Sequence, residues 1–430
     1  MNRKGIPIFT LKVKSISSTF KACLFFLLFT TFYFFSSAQD TISPLDVEQK
    51  SLQLFQDKKW NELIPFLKNA SNNGIDYFYL QMRMGIAYYE KKNYCLAESH
   101  FKKALKYSSA DDLALEYLYY CYVFTGRNEA PRMLIKTFNK NLSEKIGANK
   151  LSPISFIMLE YGTKISDSSY YYDNVKKTNS IFYNPAFYVQ LGLNHYIKNR
   201  VSLFHALTLY NQQNFVGTLH QKQYYLKASI PLKSNWLISP AFHAINIDFS
   251  GVINVSPSIQ ETYTTNNNYY VGSLSVQKTI KKFIFSASYL ASNISNVTQY
   301  ISSGFISFAP LGNSKIVFGC TAYLNTVNSY STTNTAFVPF VYLEPFHRIS
   351  LKFSYLNNTG NNIIEDNAYL VNNSPDLTKS RIGVLANFFI SKKVSLYALY
   401  QLENKKESNQ YFNYKYNIIL AGIKIIPSKK

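Results

Sequence analysis

Two hydrophobic periods divide the chain. From about residue 152 onward, apolar positions recur every second residue. Phe187, Val189, Leu191 and Leu193 share one face of a run whose other face carries Tyr188, Gln190, Gly192 and Asn194. Ile349, Leu351, Phe353 and Tyr355 alternate in the same way with Arg348, Ser350, Lys352 and Ser354, and Val394, Leu396, Ala398 and Tyr400 form a further apolar face. A period of two marks a β-strand with unlike surroundings on its two sides. Each run is about 10–15 residues, enough for a tilted strand to cross a bilayer.

The connections sharpen this. Tight, often basic turns at Lys198-Asn199, Lys233-Ser234, Lys281-Lys282, Gly312-Asn313-Ser314, Pro345-Phe346-His347 and Ser391-Lys392-Lys393 alternate with longer stretches rich in Asn, Ser, Thr and Tyr. The longer ones include Asp167–Ser180, Ser250–Asn268, Asn325–Asn334, Asn357–Lys379 and Glu403–Gln410. The count comes to about fourteen strands. Long loops outside, short turns on the periplasmic side and an even strand number define an outer-membrane barrel. An even count also puts both barrel ends on the short-turn side. Aromatic residues near strand ends (Trp236, Phe283, Phe346, Tyr414) are expected to form interfacial girdles.

Residues 44 to about 141 follow a different rule, a spacing of about 34 residues. The clearest unit, Phe78–Asp111, holds Gly85, Tyr88, Ala97, Phe101 and Ala104, with Tyr94 in the turn between two helices. Small residues let the helices approach, and the aromatics fill the space between them. Leu54, Trp60, Leu63, Leu67 and Ala70 take equivalent places one period earlier. Leu118, Tyr122, Gly126, Ile135 and Phe138 do so one period later, with Pro131 where a small residue is expected. These positions resemble the signature of the tetratricopeptide repeat. That resemblance implies a solenoid whose concave surface receives a protein or peptide.

Residues 1–22 are basic and free of acids, Cys23–Phe35 is an unbroken apolar or hydroxyl run, and Ser36-Ser37-Ala38 precedes Gln39. This is the layout of a cleaved secretory signal peptide. The expected organisation is therefore α + β and multidomain: a signal peptide at 1–38, a short α-helical tetratricopeptide-like solenoid at 39–150, and an antiparallel transmembrane β-barrel of about 14 strands at 151–430. The solenoid is expected in the periplasm and the barrel in a bacterial outer membrane.

Composition changes this picture little. With 36 Tyr, 33 Phe and only 2 Trp, the chain is 47% hydrophobic yet its mean hydropathy is −0.12. Strands with one lipid-facing and one lumen-facing side average out in this way. The net charge is +21. Five of the basic residues lie in 1–38, and the remainder are scattered rather than striped, so no nucleic-acid partner is expected. Cys23, Cys95, Cys121 and Cys320 have no metal-type spacing. Cys95 and Cys121 are read as independent thiols, with a bridge between them left open.

No HExxH, GxSxG, Walker or dinucleotide-binding motif is present, and no nucleophile is marked beside any of the six histidines. Neither an enzyme nor a cofactor is expected. His195 and His205 read as interfacial or packed strand residues. The residues opposite the apolar faces include Gln190, Asn194, Lys227, Lys352 and Arg381, with Glu160 a rare acidic counterpart. They imply a polar lumen, either weakly anion-selective or filled.

A tetratricopeptide module followed by a barrel is similar in layout to exopolysaccharide export porins, such as those for cellulose and poly-N-acetylglucosamine, and to YaiO-like outer-membrane proteins. That layout implies a passage or export channel whose repeats recruit a periplasmic protein or peptide. The alternatives are a non-conducting anchor, docking or surface-structure protein, whose loops (Tyr170-Tyr171-Tyr172, Asn266–Tyr270) make outside contacts, and, from a third class, a barrel hydrolase. Partners expected on this basis are outer-membrane lipid and one periplasmic protein or peptide.

Overall fold

The computed structural model describes residues 43–148, 151–166, 172–173, 178–179, 183–214, 217–256, 259–327, 332–360, 363–371, 376–406 and 413–427. The expected signal peptide lies outside the described residues, as does most of Tyr170-Tyr171-Tyr172.

Among the described residues seven α-helices come first: α1 (Pro44–Gln56), α2 (Trp60–Asn72), α3 (Phe78–Glu90), α4 (Tyr94–Tyr107), α5 (Asp112–Phe124), α6 (Glu129–Leu134) and α7 (Lys140–Ile146). Side chains cap four of them, each satisfying a backbone N–H that the helix leaves unpaired, with Ser43 accepting from Asp46 at the start of α1. Asn93 accepts from Leu96, Asp111 from Ala114 and Asn139 from Leu142. The α3–α4 pair explains the small and aromatic positions. A Cβ on Gly85 would stand 2.7 Å from the Phe101 ring, so only glycine permits this crossing. Ala97, Phe101 and Ala104 are fully buried, and Tyr88 stacks on His100. Burial holds the His100 imidazole down at about 4, where it is a neutral packing residue bonded to Gln81.

Fourteen antiparallel strands then close into a barrel: β1 (Ile154–Ser166), β2 (Tyr183–Ile197), β3 (Val201–Asn214), β4 (Gly217–Pro231), β5 (Trp236–Ser256), β6 (Ile259–Ile280), β7 (Phe283–Ser292), β8 (Gln299–Phe308), β9 (Ile316–Val327), β10 (Thr332–Phe346), β11 (Ile349–Asn358), β12 (Leu377–Phe389), β13 (Val394–Lys406) and β14 (Asn413–Ile425). Each strand pairs with its sequence neighbour, and β1 pairs with β14 through Met158↔Lys424 to Ser166↔Tyr416, so the sheet has no edge. The strand number and antiparallel order match the expectation from alternation.

The apolar faces point outward. Leu159, Leu191, Leu207 and Phe337 are 51, 51, 56 and 52% exposed. A belt of this kind is a lipid-facing surface, because a water-soluble monomer rarely exposes so wide an apolar patch. The barrel is thus of the outer-membrane type, crossing with strands. Among the described residues no helix is long and apolar enough to cross a membrane.

Three expectations are corrected. Ser250–Asn268 is largely strand: β5 and β6 run 21 and 22 residues and pair as far as Ser256↔Ile259. Asn266–Tyr270 therefore lies in a ladder, with Asn246 donating to Asn266 and Asn268 at 3.2 and 2.9 Å. Tyr414 belongs to no girdle; it is 5% exposed and points inward, donating to Asp376. Trp236, Phe283 and Phe346 do face outward. The third correction concerns the connection Asn357–Lys379, of which residues 363–371 lie inside the barrel.

Candidate functional site

The interior of the barrel is occupied. Residues 363–371 leave the end of β11 and return to β12 as a small hairpin, with Ile364 paired to Val371 and Glu365 to Leu370. Its tip, Asp366-Asn367-Ala368, is left-handed throughout, with φ of 50, 55 and 70°. Asp and Asn tolerate that region; Ala does not favour it, so surrounding contacts must hold the tip. They are both apolar and polar.

Ile363, Ile364 and Ala368 are buried among Ala206, Tyr225, Ile245, Val271, Leu290 and Tyr323 from the strand walls. The tip carbonyls are bound directly. Asn367 O accepts from Tyr225 Oη at 3.0 Å and from Ser273 Oγ at 3.2 Å. Ala368 O lies 2.6 Å from His243 Nδ1, which must carry the proton because a carbonyl only accepts. His243 Nε2 contacts Gln223 Oε1 at 3.0 Å. On the other arm, Arg381 grips Glu365 with two bonds of 2.6 and 2.7 Å and lies 3.6 Å from Glu403, which also meets Lys164 at 3.4 Å. One terminal nitrogen, Nη2, spans both Glu365 oxygens while Nη1 faces Glu403, so a single guanidinium ties the hairpin carboxylate to the wall.

All six lumen residues expected from strand parity lie on the inner face, where Asn194 and Lys227 line a cavity below the hairpin. Arg381 latches the hairpin. Gln190 donates to Tyr369 Oη and accepts from Thr208. Glu160 accepts from Tyr188 and Tyr397 at 2.9 and 2.8 Å, and Asn194 accepts from Ser202 at 2.8 Å. The Lys352 ammonium sits 4.7 Å above Phe340. Lys227 lies near the short-turn end, below the hairpin. Sequence reasoning missed the hairpin together with His243, Tyr225 and Ser273, its partners. Ile363-Ile364 and Ala368-Tyr369-Leu370-Val371 were the available signal, two apolar islands inside a polar loop.

The helical region covers the short-turn end of the barrel. Cys95 N–H donates to Gly312 O at 3.0 Å, Asn313 Nδ2 donates to Lys92 O at 3.0 Å, and Ser314 N–H donates to Phe124 O at 3.3 Å. Gly312 has φ +71°, and a Cβ there would stand 2.0 Å from Asn93 Oδ1, so the approach requires glycine. At the β4–β5 turn, Asn235 donates to Glu98 at 3.0 Å and accepts from Lys102 at 2.7 Å. At the β2–β3 turn, Arg132 donates to Asn199 and to Ser152 O, with its guanidinium 3.8 Å from the Tyr196 ring.

Glu98 is the electrostatic centre of this contact. Burial opposes its ionisation, but the charges and hydrogen bonds of Arg127 and Lys102 outweigh that and hold the carboxyl down at about 2. Cys95 and Cys121 are buried and unbridged, and burial pushes the Cys95 thiol up to about 11. Among the described residues no cluster of His, Cys, Asp and Glu could hold a metal ion.

No protein-family model matches the chain, and no curated protein does. Among solved structures the chain is similar to the CymD monoaromatic hydrocarbon channel, at 6% identity over 63% of this chain and 88% of that one, with a TM-score of 0.42. It is likewise similar to the Pseudomonas putida toluene transporter TodX (8%, 64% and 89%, TM-score 0.41). A Pseudomonas aeruginosa FadL homologue gives 9% identity over 64% of this chain and 90% of that one, with a TM-score of 0.40.

Proposed function

We propose that the chain is an outer-membrane passage channel held closed by its own inward-folded hairpin, with a helical domain on the periplasmic mouth that binds a protein or peptide partner. The observation that carries this reading is how the hairpin is held. Nine residues, anchored by the Arg381–Glu365 ion pair, three tip contacts, the Gln190–Tyr369 bond and apolar packing, stand inside a closed barrel whose strands pair without them. A segment so small and so polar in its attachments can leave without unfolding the wall, which is what a gate requires. The periplasmic placement is supported by the docking of the helices on the short turns, since short turns face the periplasm in barrels of this class. The partner-binding role is supported by the exposed aromatic residues Tyr79 and Tyr107 on the α3–α4 pair. The barrel carries no catalytic role in this reading.

A second reading, a non-conducting docking protein, is favoured by the extent to which the helices cover the mouth. Planar-bilayer recording separates the two. Arg381→Gln and Glu365→Gln are expected to raise the frequency of channel openings at least tenfold over the unaltered protein. If neither variant changes the current although both fold into closed barrels, the docking reading holds instead.

A further inference from the structure

Below the hairpin and above α5 and α6 lies a cavity of about 550 Å³, lined in part by residues that also hold the hairpin (Tyr225, Tyr369) and the helices (Arg132, Tyr196). Its volume falls in the range of about 300–1,000 Å³ typical of small-molecule sites. One wall is a connected aromatic cluster. The Phe204 ring lies 5.9 Å from Phe156, 6.1 Å from Tyr225 and 5.8 Å from Tyr369, with Tyr225 and Tyr369 themselves 5.1 Å apart. The Lys424 ammonium stands 3.9 Å from the centre of the Phe156 ring, at the edge of this cluster. Lys227 lines the same space. Among the described residues, neither lysine forms an ion pair with a carboxylate.

The other charged groups on the cavity are Arg132, Glu129 and Asp366. Arg132 is committed to Ser152, Asn199 and Tyr196. Burial raises the Glu129 carboxyl above its ordinary range, which weakens its competition for Lys227. The cavity therefore offers two ammonium groups without a carboxylate partner next to a cluster of aromatic rings. Asn194, Ser202 and Ser229 add hydrogen-bonding groups.

We propose that this cavity binds a small organic carboxylate bearing an aromatic ring. The ring packs against Phe204, Tyr225 and Tyr369, where edge-to-face contacts are available. The carboxylate sits on Lys424 and Lys227, whose compact ammonium groups suit it as point charges. The site needs the hairpin in place, because Tyr369 and Asp366 belong to it, but it does not need the hairpin to open.

Calorimetric titration of the full chain in detergent with 4-hydroxybenzoate tests this. Saturable binding is expected, at least tenfold weaker for the neutral 4-hydroxybenzamide and at least tenfold weaker in Lys424→Gln. Lys424→Arg keeps the charge and is expected to stay within about threefold of the unaltered protein. Lys278→Gln, on the outer wall, is expected to bind normally. Absence of saturable binding, equal binding of the amide, tighter binding of the non-aromatic acid glucuronate, or indifference to Lys424→Gln in a folded barrel would each overturn the proposal.

Discussion

At the scale of single residues, two positions carry most of the consequences. Glu98 is nearly buried yet ionised, because Arg127 and Lys102 face it. Its carboxyl is held at about 2 against an ordinary 4.5, so its contribution is complete above pH 4.5 and is lost as pH falls through about 2. The shift corresponds to about 3 kcal/mol. Helix docking is accordingly expected to be insensitive to pH between 7 and 5 and to weaken from there downward, read as faster hydrogen exchange across α4 and α5. Glu98→Gln leaves Arg127 buried without its counter-charge and is expected to cost about 3 kcal/mol at neutral pH and to flatten the acid response. At Gly85 the limit is steric: Gly85→Ala drives a methyl into Phe101 and is expected to cost about 1–3 kcal/mol in a thermal melt followed by helical circular dichroism. Gly85 and Phe101 were legible in the sequence because repeat spacing places them opposite each other. Glu98 was not, since its partners, Arg127 and Asn235, are 29 and 137 positions away.

At the scale of elements, alternation located the strands, and turn chemistry located the ends of most of them. Lys198-Asn199, in the three-residue β2–β3 turn, and Ser234-Asn235, in the four-residue β4–β5 turn, are left-handed, with φ of 50, 53, 57 and 63°. Alternation failed where both faces of a strand are polar. The outer halves of β5 and β6 read as loop because Thr264, Thr265, Asn266, Asn267 and Asn268 present no apolar face, although they pair residue by residue. It failed again at 363–371, which is too short for any period to register and is held by residues from strands far apart in sequence, from Gln190 in β2 to Arg381 in β12. The helix-to-turn contact is another such element. Gly312→Ala is expected to push Asn93 away and loosen the mouth by about 1–2 kcal/mol. Faster proteolysis at the α3–α4 turn, with unchanged strand content, is the expected signature.

At the scale of the whole molecule, the outward face was legible and the inward one only half so. Strand parity identified Gln190, Asn194, Lys227, Lys352, Arg381 and Glu160 as interior residues, but parity says nothing of what stands in front of them. A lumen lined with polar groups reads the same in sequence whether water or a hairpin fills it, because both satisfy those groups. The central claim is that the hairpin, rather than the wall, closes the passage. Planar-bilayer conductance of a variant in which residues 363–371 are replaced by a short Gly-Ser linker tests this most directly. Steady, ohmic conductance is predicted where the unaltered protein is closed for most of the record. A variant that is silent, yet folded by strand content and by resistance to unfolding in detergent, would contradict it.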